Sequence, residues 1–275
     1  MRLPRLSLII LLLFSIVSCA KQSTPTGGPR DEDPPVLQES NPKNLSLNTK
    51  PEEITLTFDE YIKLENPAKG IVITPRINKD EVEVSALNNV VTVKLNQELE
   101  DSTTYVFDFQ KSVVDISEDN PAENLKLVFS TGEAIDSLSI AGNVLFHFPS
   151  NKPDFTNVLV GIYPIDDTTD IFTAPPYYLS QVDTTGAFLV SNIKNGTYKA
   201  YAWKDANGSL KAEFKSEEYD FILDTLIIES NLEQVTFNLS KSDLTPIRIL
   251  RSSPFGKNFD IIVNRDPVDI RLEND

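Results

Sequence analysis

Residues 101–132 read DSTTYVFDFQKSVVDISEDNPAENLKLVFSTG, and they contain two short runs in which large apolar side chains alternate with other residues. The runs lie at 105–109 and 125–129, and the same alternation recurs at 54–58 and 91–95. Successive side chains of a strand point to opposite faces, so a period of two indicates strands with one buried face. No stretch after the N-terminal segment keeps a helical period beyond about two turns. The sequence therefore predicts an all-β protein.

The segment from Pro34 to residue 133 resembles the SbsA-type bacterial Ig-like domain. The resemblance rests on the Pro-Pro start at 34–35, the strand ITLTFDE at 54–60, the TTY strand within 99–109 and the closing FSTG at 129–132. The preceding PTGGPRDEDPP is similar to the leader of Bacteroidota lipoproteins that carry this domain. This resemblance implies a β-sandwich of about seven strands over 34–133, with no catalytic site attached to the fold.

A second segment, residues 136–241, resembles carboxypeptidase-regulatory and transthyretin-like β-sandwiches. The resemblance rests on GAFLVSNIKNGTYKAYAWKD at 186–205. Seven strands are expected in the segment, at 138–146, 158–165, 177–182, 187–190, 197–203, 226–228 and 235–239. Asn195-Gly196 predicts a tight hairpin turn, because Asn-Gly supplies two positive-φ positions. Residues 242–275 predict at most three short strands. These strands either add to the second sandwich or begin an incomplete third domain, because three strands alone make a poor core.

The N-terminus predicts a lipoprotein signal peptide over residues 1–18. Arg2 and Arg5 precede a run of about twelve apolar residues, whereas a membrane-spanning helix needs about 20. Residues 16–19, IVSC, resemble a bacterial lipobox, which implies that Cys19 becomes the mature N-terminus and carries acyl chains such as palmitate. Several acyl chains on one residue give a stable membrane anchor.

Residues 19–33 predict a flexible tether, because they contain no large apolar side chain that could offset the entropy of ordering. Some surface-exposed Bacteroidota lipoproteins carry acidic residues directly after the cysteine as an export signal. Here Ala20, Lys21 and Gln22 occupy those positions. We therefore expect an outer-membrane lipoprotein that faces the periplasm rather than the cell surface.

Composition excludes several function classes. The chain has 41 acidic and 25 basic residues, a net charge of −16, which disfavours nucleic-acid binding because such binding depends on basic charge. His147 is the single histidine and Cys19, the predicted lipid attachment site, is the single cysteine. The sequence therefore disfavours Ser-His-Asp and Cys-His catalytic sites and zinc sites with histidine ligands, because the histidines and the free cysteine that they need are missing. A glycosidase would still need only two facing carboxylates in a cleft. We expect no enzyme and no catalytic residues.

One loop is a candidate calcium site. The run KDANGSLKAE places Asp205, Asn207 and Ser209 at alternate positions, and Glu213 follows. Calcium takes six to eight oxygen ligands, often from one loop. The run DISEDN offers Asp115, Glu118, Asp119 and Asn120 as a further calcium candidate. For both loops the other interpretation is a turn rich in Asp and Asn without a metal. Calcium apart, no cofactor is expected.

Two functions remain open from sequence. In the first, the tandem β-sandwiches form a non-enzymatic scaffold that holds another envelope protein. In the second, an exposed face binds a glycan or peptide, with the aromatic residues Phe172, Tyr177, Tyr178 and Trp203 as the first candidates for contacts. The ligand-binding residues are otherwise unassigned.

Overall fold

A computed structural model describes residues 32–148, 152–241 and 247–264. The chain divides into two units, residues 1–33 and 34–275, and the described strands all belong to the second. The predicted signal peptide, the lipid-bearing Cys19 and nearly all of the predicted tether lie outside the described residues. The regular secondary structure of the described residues is almost entirely β-strand, and the all-β prediction is confirmed. None of their helices is long and apolar enough to cross a bilayer.

The first sandwich contains nine strands, one helical turn, α1 (Pro67–Gly70), and one 3-10 turn at Lys79–Glu81. Its strands are β1 (Leu37–Asn41), β2 (Glu53–Phe58), β3 (Ile62–Leu64), β4 (Val72–Thr74), β5 (Val82–Leu87), β6 (Val90–Leu95), β7 (Thr104–Asp108), β8 (Val113–Asp115) and β9 (Lys126–Ser130). They form a four-stranded sheet in the order β1-β2-β6-β5, a three-stranded sheet in the order β4-β7-β9, and the pair β3-β8.

The alternating runs found in the sequence build the core of this sandwich. In β2 the buried side chains are Ile54, Leu56 and Phe58, and the residues between them face outward. In the facing sheet, Phe129 of β9 stacks on Phe107 of β7, with ring centroids 5.8 Å apart. Aromatic pairs of this kind contribute about 0.5–1.5 kcal/mol beyond the area they bury.

The second sandwich contains eight strands, which form one sheet. Its strands are β10 (Leu138–Phe146), β11 (Val158–Pro164), β12 (Tyr178–Gln181), β13 (Ala187–Ile193), β14 (Gly196–Lys204), β15 (Glu218–Phe221), β16 (Leu226–Ile228) and β17 (Leu232–Lys241). The order is β12-β11-β14-β15-β17-β10-β13, and β16 also pairs with β14. Seven of these strands lie where the sequence predicts them, and β15 is the addition.

The eight-stranded sheet folds over so that its two halves enclose one core. Val144 and Phe237 come from the half that contains β10, β13 and β17, and Val160 and Ala202 come from the other half. Within the half that contains β10, β13 and β17, strands β10 and β17 pair in parallel. The remaining pairs in the sheet are antiparallel.

The predicted Asn195-Gly196 hairpin is wrong. Strand β13 pairs with β10 and strand β14 pairs with β11, so the connection between them crosses from one half of the sheet to the other. Neither Asn195 nor Gly196 has a positive φ, and the left-handed residue nearby is Asn192. The dipeptide has the chemistry of a tight turn, but the packing of β13 and β14 into different halves of the core decides the connection.

The C-terminal part of the described chain forms a separate hairpin. Strands β18 (Ile249–Phe255) and β19 (Asn258–Val263) pair with each other in a two-stranded sheet. Within residues 247–264 this sheet neither extends the second sandwich nor builds a third one.

Candidate functional site

The four residues of the predicted calcium site lie together in the loop that joins β14 to β15. Asp205 is buried, and its two carboxylate oxygens accept hydrogen bonds from the main-chain N–H groups of Ser209, at 3.0 Å, and Leu210, at 2.9 Å. The Asn207 amide donates to Glu213 Oε1 at 2.7 Å. These bonds close the loop with its own donors, and calcium binding stays a prediction.

A second buried carboxylate, Glu217, holds the other end of the same loop, and the sequence offers no signal for it. Its oxygens accept hydrogen bonds from the main-chain N–H groups of Ala206, at 2.8 Å, and Glu213, at 2.9 Å. Burial raises the pKa of Glu217, and the nearby charge of Asp205 raises it further. Asp205 and Glu217 thus act as acceptors for the backbone, which is a structural role.

The acidic run at 115–120 has the same construction. Asp115 is buried and accepts hydrogen bonds from the main-chain N–H groups of Glu118, Asp119 and Asn120. Burial alone would raise the pKa of Asp115, but these hydrogen bonds outweigh burial and lower the pKa below its usual value. This loop is a turn organised by one carboxylate.

The aromatic residues proposed as a binding face do not form one. Trp203 is completely buried, and Tyr178 lies in the core of the second sandwich. Phe172 packs edge-on against Tyr219 with ring centroids 5.1 Å apart. Strand aromatics are stabilised by burial, and here the loops that join β11 to β12 and β14 to β15 cover Trp203. Tyr177 is the member of the group that reaches the first sandwich.

The two sandwiches meet at a junction built around Arg76, which follows β4. The main-chain N–H of Arg76 donates to the carbonyl oxygen of Tyr177 at 2.8 Å, and its guanidinium donates to the carbonyl oxygen of Pro175. The same guanidinium forms an ion pair with Asp167 at 3.3 Å. One residue of the first sandwich is therefore bound at three points to the second.

Asp167 is itself fixed within the second sandwich. Its carboxylate accepts hydrogen bonds from Thr169, and the ammonium of Lys199 donates to its main-chain carbonyl at 2.8 Å. Burial would raise the pKa of Asp167, but the hydrogen bonds from Thr169 and the positive charge of Arg76 lower it. The carboxylate thus stays ionised as the partner of Arg76.

Tyr177 and Lys194 extend the junction. The Tyr177 hydroxyl donates to Glu100 Oε2 at 2.5 Å, and the Lys194 ammonium donates to the main-chain carbonyl of Ser102 at 3.1 Å. Burial and the hydrogen bond to Glu100 raise the pKa of the Tyr177 hydroxyl, so it remains a donor. Burial likewise raises the pKa of Tyr105, which receives a hydrogen bond from the Glu100 main chain, to about 12. The sequence does not reveal the contacts of Tyr177 and Lys194, because they join residues 77 and 92 positions apart in the chain.

A cleft of about 1200 Å³ opens beside the junction, with walls from both sandwiches. Its polar lining consists largely of side-chain amides, ammonium groups and carboxylates. The amides belong to Asn66, Gln110, Asn124, Asn157, Gln181 and Asn207, the ammonium groups to Lys69, Lys79, Lys111 and Lys126, and the carboxylates to Glu65, Asp108, Glu123 and Asp205. The Lys69 ammonium crosses the cleft and donates to the main-chain carbonyl of Asn207 at 3.4 Å.

Comparison with known families identifies the first sandwich. Residues 31–131 match the bacterial Ig-like domain family. The Ig-like resemblance predicted from the sequence is confirmed for this part of the chain. The Ig-like domain therefore contributes Arg76, Glu100 and Ser102 to the junction. No curated protein matches the chain.

Three solved structures show distant similarity. An L,D-transpeptidase from Mycobacterium smegmatis has 10% identity and a TM-score of 0.25, and the match covers 47% of this chain and 61% of that one. The major pilin subunit BcpA of Bacillus cereus has 12% identity and a TM-score of 0.25, covering 76% and 71%. The T6 backbone pilin of serotype M6 Streptococcus pyogenes has 12% identity and a TM-score of 0.21, covering 68% and 48%. TM-scores this low carry no conclusion.

Replacing Arg76 with alanine is expected to loosen the junction. The change removes the ion pair with Asp167 and the hydrogen bond to Pro175 but leaves the main-chain bond to Tyr177. We expect the free energy of unfolding to fall by about 2 kcal/mol, since hydrogen bonds to charged groups contribute about 1.5–3 kcal/mol. Urea denaturation measures this loss. Lys43→Ala, at an exposed position of the Ig-like domain, is the control, and equal stability of the two variants would contradict the role of Arg76.

Proposed function

We propose that the chain is a lipid-anchored, non-enzymatic structural protein of the cell envelope. The Ig-like domain and the second sandwich act together as one rigid spacer that holds another envelope protein. The observation that carries the proposal is the junction, where Arg76 binds the second sandwich through its main chain and its side chain. A flexible linker would let the two sandwiches move independently. The contacts of this junction instead hold the two sandwiches in one orientation, as a scaffold requires.

The proposed anchor is the lipid on Cys19, which the lipobox-like residues 16–19 support. The leader before the Ig-like domain supports a Bacteroidota lipoprotein, and the residues at 186–205 support a carboxypeptidase-regulatory or transthyretin-like second domain. The absence of acidic residues at positions 20–22 supports the periplasmic face of the outer membrane. The tether at 19–33 would separate the rigid spacer from the bilayer.

The chemistry of the buried acids supports a role without catalysis. A glycosidase needs one carboxyl group to transfer a proton and a second to attack or to activate water. The oxygens of Asp205 and Glu217 instead accept hydrogen bonds from four main-chain N–H groups. Using either acid in a reaction would open the loop that it holds.

Replacing Cys19 with alanine tests the anchor. Cells are fed an alkyne analogue of palmitate, and we expect the wild-type chain to take up the label and to sediment with the outer membrane. Cys19→Ala should lose the label completely and leave the membrane fraction. Ser18→Ala, which keeps a small residue before the cysteine, is the control and should be labelled. Labelling of Cys19→Ala, or an unlabelled wild-type chain, would refute the anchor, and protease treatment of whole cells reports the membrane face.

A second candidate function is binding of a glycan or peptide in the cleft beside the junction. The amide, ammonium and carboxylate groups of the lining favour a ligand rich in hydroxyl and amide groups. A glycan and peptide array separates the two functions. A hit that Gln110→Ala and Asn124→Ala abolish together would favour binding. No hit, with co-purification of an envelope protein, would favour the scaffold.

A further inference from the structure

The outer face of the second sandwich is covered at one end by loops. The loops at 165–177 and 205–217 contribute Ile171 and Ala212, which pack against Trp203 on β14. This small second core explains why Trp203 is buried although it points away from the main core. At the other end of the face, beyond Tyr201, large apolar side chains are exposed.

These exposed side chains are Phe221, Leu223 and Ile227, which we call the outer patch. Phe221 lies opposite Tyr201 and Ile227 lies opposite Thr197, both on β14. Thr197 and Tyr201 are four residues apart on one strand, so Phe221 and Ile227 point to the same face. Leu223, in the turn between them, is 87% exposed. Large exposed apolar side chains grouped on one sheet face are a feature of interaction surfaces.

Exposed carboxylates border the outer patch. Asp224 follows Leu223 directly, and Glu229 follows Ile227 by two residues. Both are exposed to solvent. A partner for this surface would therefore combine apolar side chains with positive charge.

The C-terminal hairpin, β18 and β19, has that composition. Ile249, Leu250 and Phe259 are 64%, 65% and 62% exposed. Ile261 and Ile262 are 42% and 49% exposed and are neighbours in the regular register of β19, so the hairpin exposes apolar side chains on both faces. A two-stranded hairpin is marginal in water by itself and gains stability by packing on another surface.

The charge of the C-terminal hairpin is opposite to that of the chain as a whole. Residues 247–264 contain the basic side chains Arg248, Arg251 and Lys257 and one acidic side chain, Asp260. The whole chain carries a net charge of −16. One chain thus has an apolar basic hairpin and an apolar acidic patch, and both are exposed in the same molecule.

We propose that the C-terminal hairpin of one copy docks on the outer patch of a second copy. The partner is this same chain, and the contact joins two different surfaces. Such a contact repeats from copy to copy and gives a ring or an open chain. The inference rests on the proposed structural role and gives it a mechanism, because repeated docking would assemble the rigid spacers into a larger array.

Crosslinking between two tagged copies tests the docking. One full-length copy carries Leu223→Cys and the other carries Phe259→Cys, and a short bismaleimide is added to cells that express both. We expect a dimer that contains both tags. Leu87→Cys, exposed on the Ig-like domain, replaces Leu223→Cys in the control pair, and copies without added cysteines show any background from Cys19. The control pair should give no dimer above that background.

Charge reversal provides the second arm. Arg248→Glu with Arg251→Glu should abolish the dimer, and Asp224→Lys with Glu229→Lys in the other copy should restore it, since the reversed pair is again complementary. Loss without restoration would overturn the proposal, and so would an equal dimer from the control pair.

Two other occupants give different results. A copy carrying both added cysteines that yields only an internally linked monomer would place the hairpin on its own chain. A dye on Phe259→Cys that responds to phosphatidylglycerol vesicles, with no dimer, would place it on a membrane. Either result overturns docking between copies. Palmitate labelling of Cys19 is measured separately, so the anchor and the docking can fail independently.

Discussion

Replacing Gly142 with alanine is expected to lower the free energy of unfolding by about 3 kcal/mol or more, the upper end of the usual cost of overpacking. Gly142 lies at the centre of β10, between Phe188 of β13 and Val235 of β17. A Cβ atom there would lie 1.8 Å from the main-chain oxygen of Val235. Main-chain atoms of a paired strand cannot rotate away, so β10 and β17 must separate.

Gly196→Ala is the matched control for this prediction. A Cβ atom at Gly196 would meet the side chain of Tyr198 at 3.1 Å, and that ring can shift by a few tenths of an ångström. We expect a change below about 1 kcal/mol, much smaller than for Gly142→Ala, because only a side chain has to move. Thermal unfolding followed by circular dichroism measures both variants. Equal melting temperatures for Gly142→Ala and Gly196→Ala would show that the parallel pair tolerates the side chain.

The second large effect is expected for Asp115→Ala in the Ig-like domain. Its carboxylate is the buried acceptor for the N–H groups of Glu118, Asp119 and Asn120. Removing it takes the acceptor away from three partly buried N–H donors, and hydrogen bonds to a charged group contribute about 1.5–3 kcal/mol. We expect a total loss of about 3 kcal/mol, measured by urea denaturation at pH 7.

This loss should depend on pH. The folded state lowers the pKa of Asp115 below the ordinary value of 3.8, so the ionised carboxylate stabilises the fold fully above about pH 4. That contribution is lost as the pH falls through the lowered pKa. The wild type should therefore approach the stability of Asp115→Ala in acid. Glu123→Ala, exposed on the same loop, is the control, and a difference between wild type and Asp115→Ala that persists unchanged in acid would contradict this account.

The strands were predictable because alternation is a local signal. The runs at 54–58, 91–95, 105–109 and 125–129 each lie on a strand whose alternate residues are buried. The Ig-like domain was recognisable for the same reason, because its motifs are short contiguous runs of sequence at strands, strand ends and turns. Strand β15 was missed because it is short and lies in the acidic run KSEEYDF, where polar residues hide the buried Tyr219.

The candidate site was predictable only in part. Sequence spacing placed Asp205, Asn207, Ser209 and Glu213 in one loop, and the structure brings them together. It did not reveal that the Asp205 carboxylate is used by the backbone, or that Glu217 closes the loop from its far end. A loop rich in carboxylates has the same amino-acid composition whether its carboxylates bind a metal ion or accept hydrogen bonds from main-chain N–H groups.

By itself, the sequence determined the fold class, the positions of most strands and the acidic character of the chain, because each depends on residue type and local order. Only the tertiary structure decided which strands pair, as in the separation of β13 from β14, and which side chains meet at the junction. Arg76 and Asp167 are 91 residues apart. Their contact depends on how the two sandwiches pack against each other. A periodic pattern in the sequence indicates that one face of a strand is buried, but it does not indicate which other strand or loop covers that face.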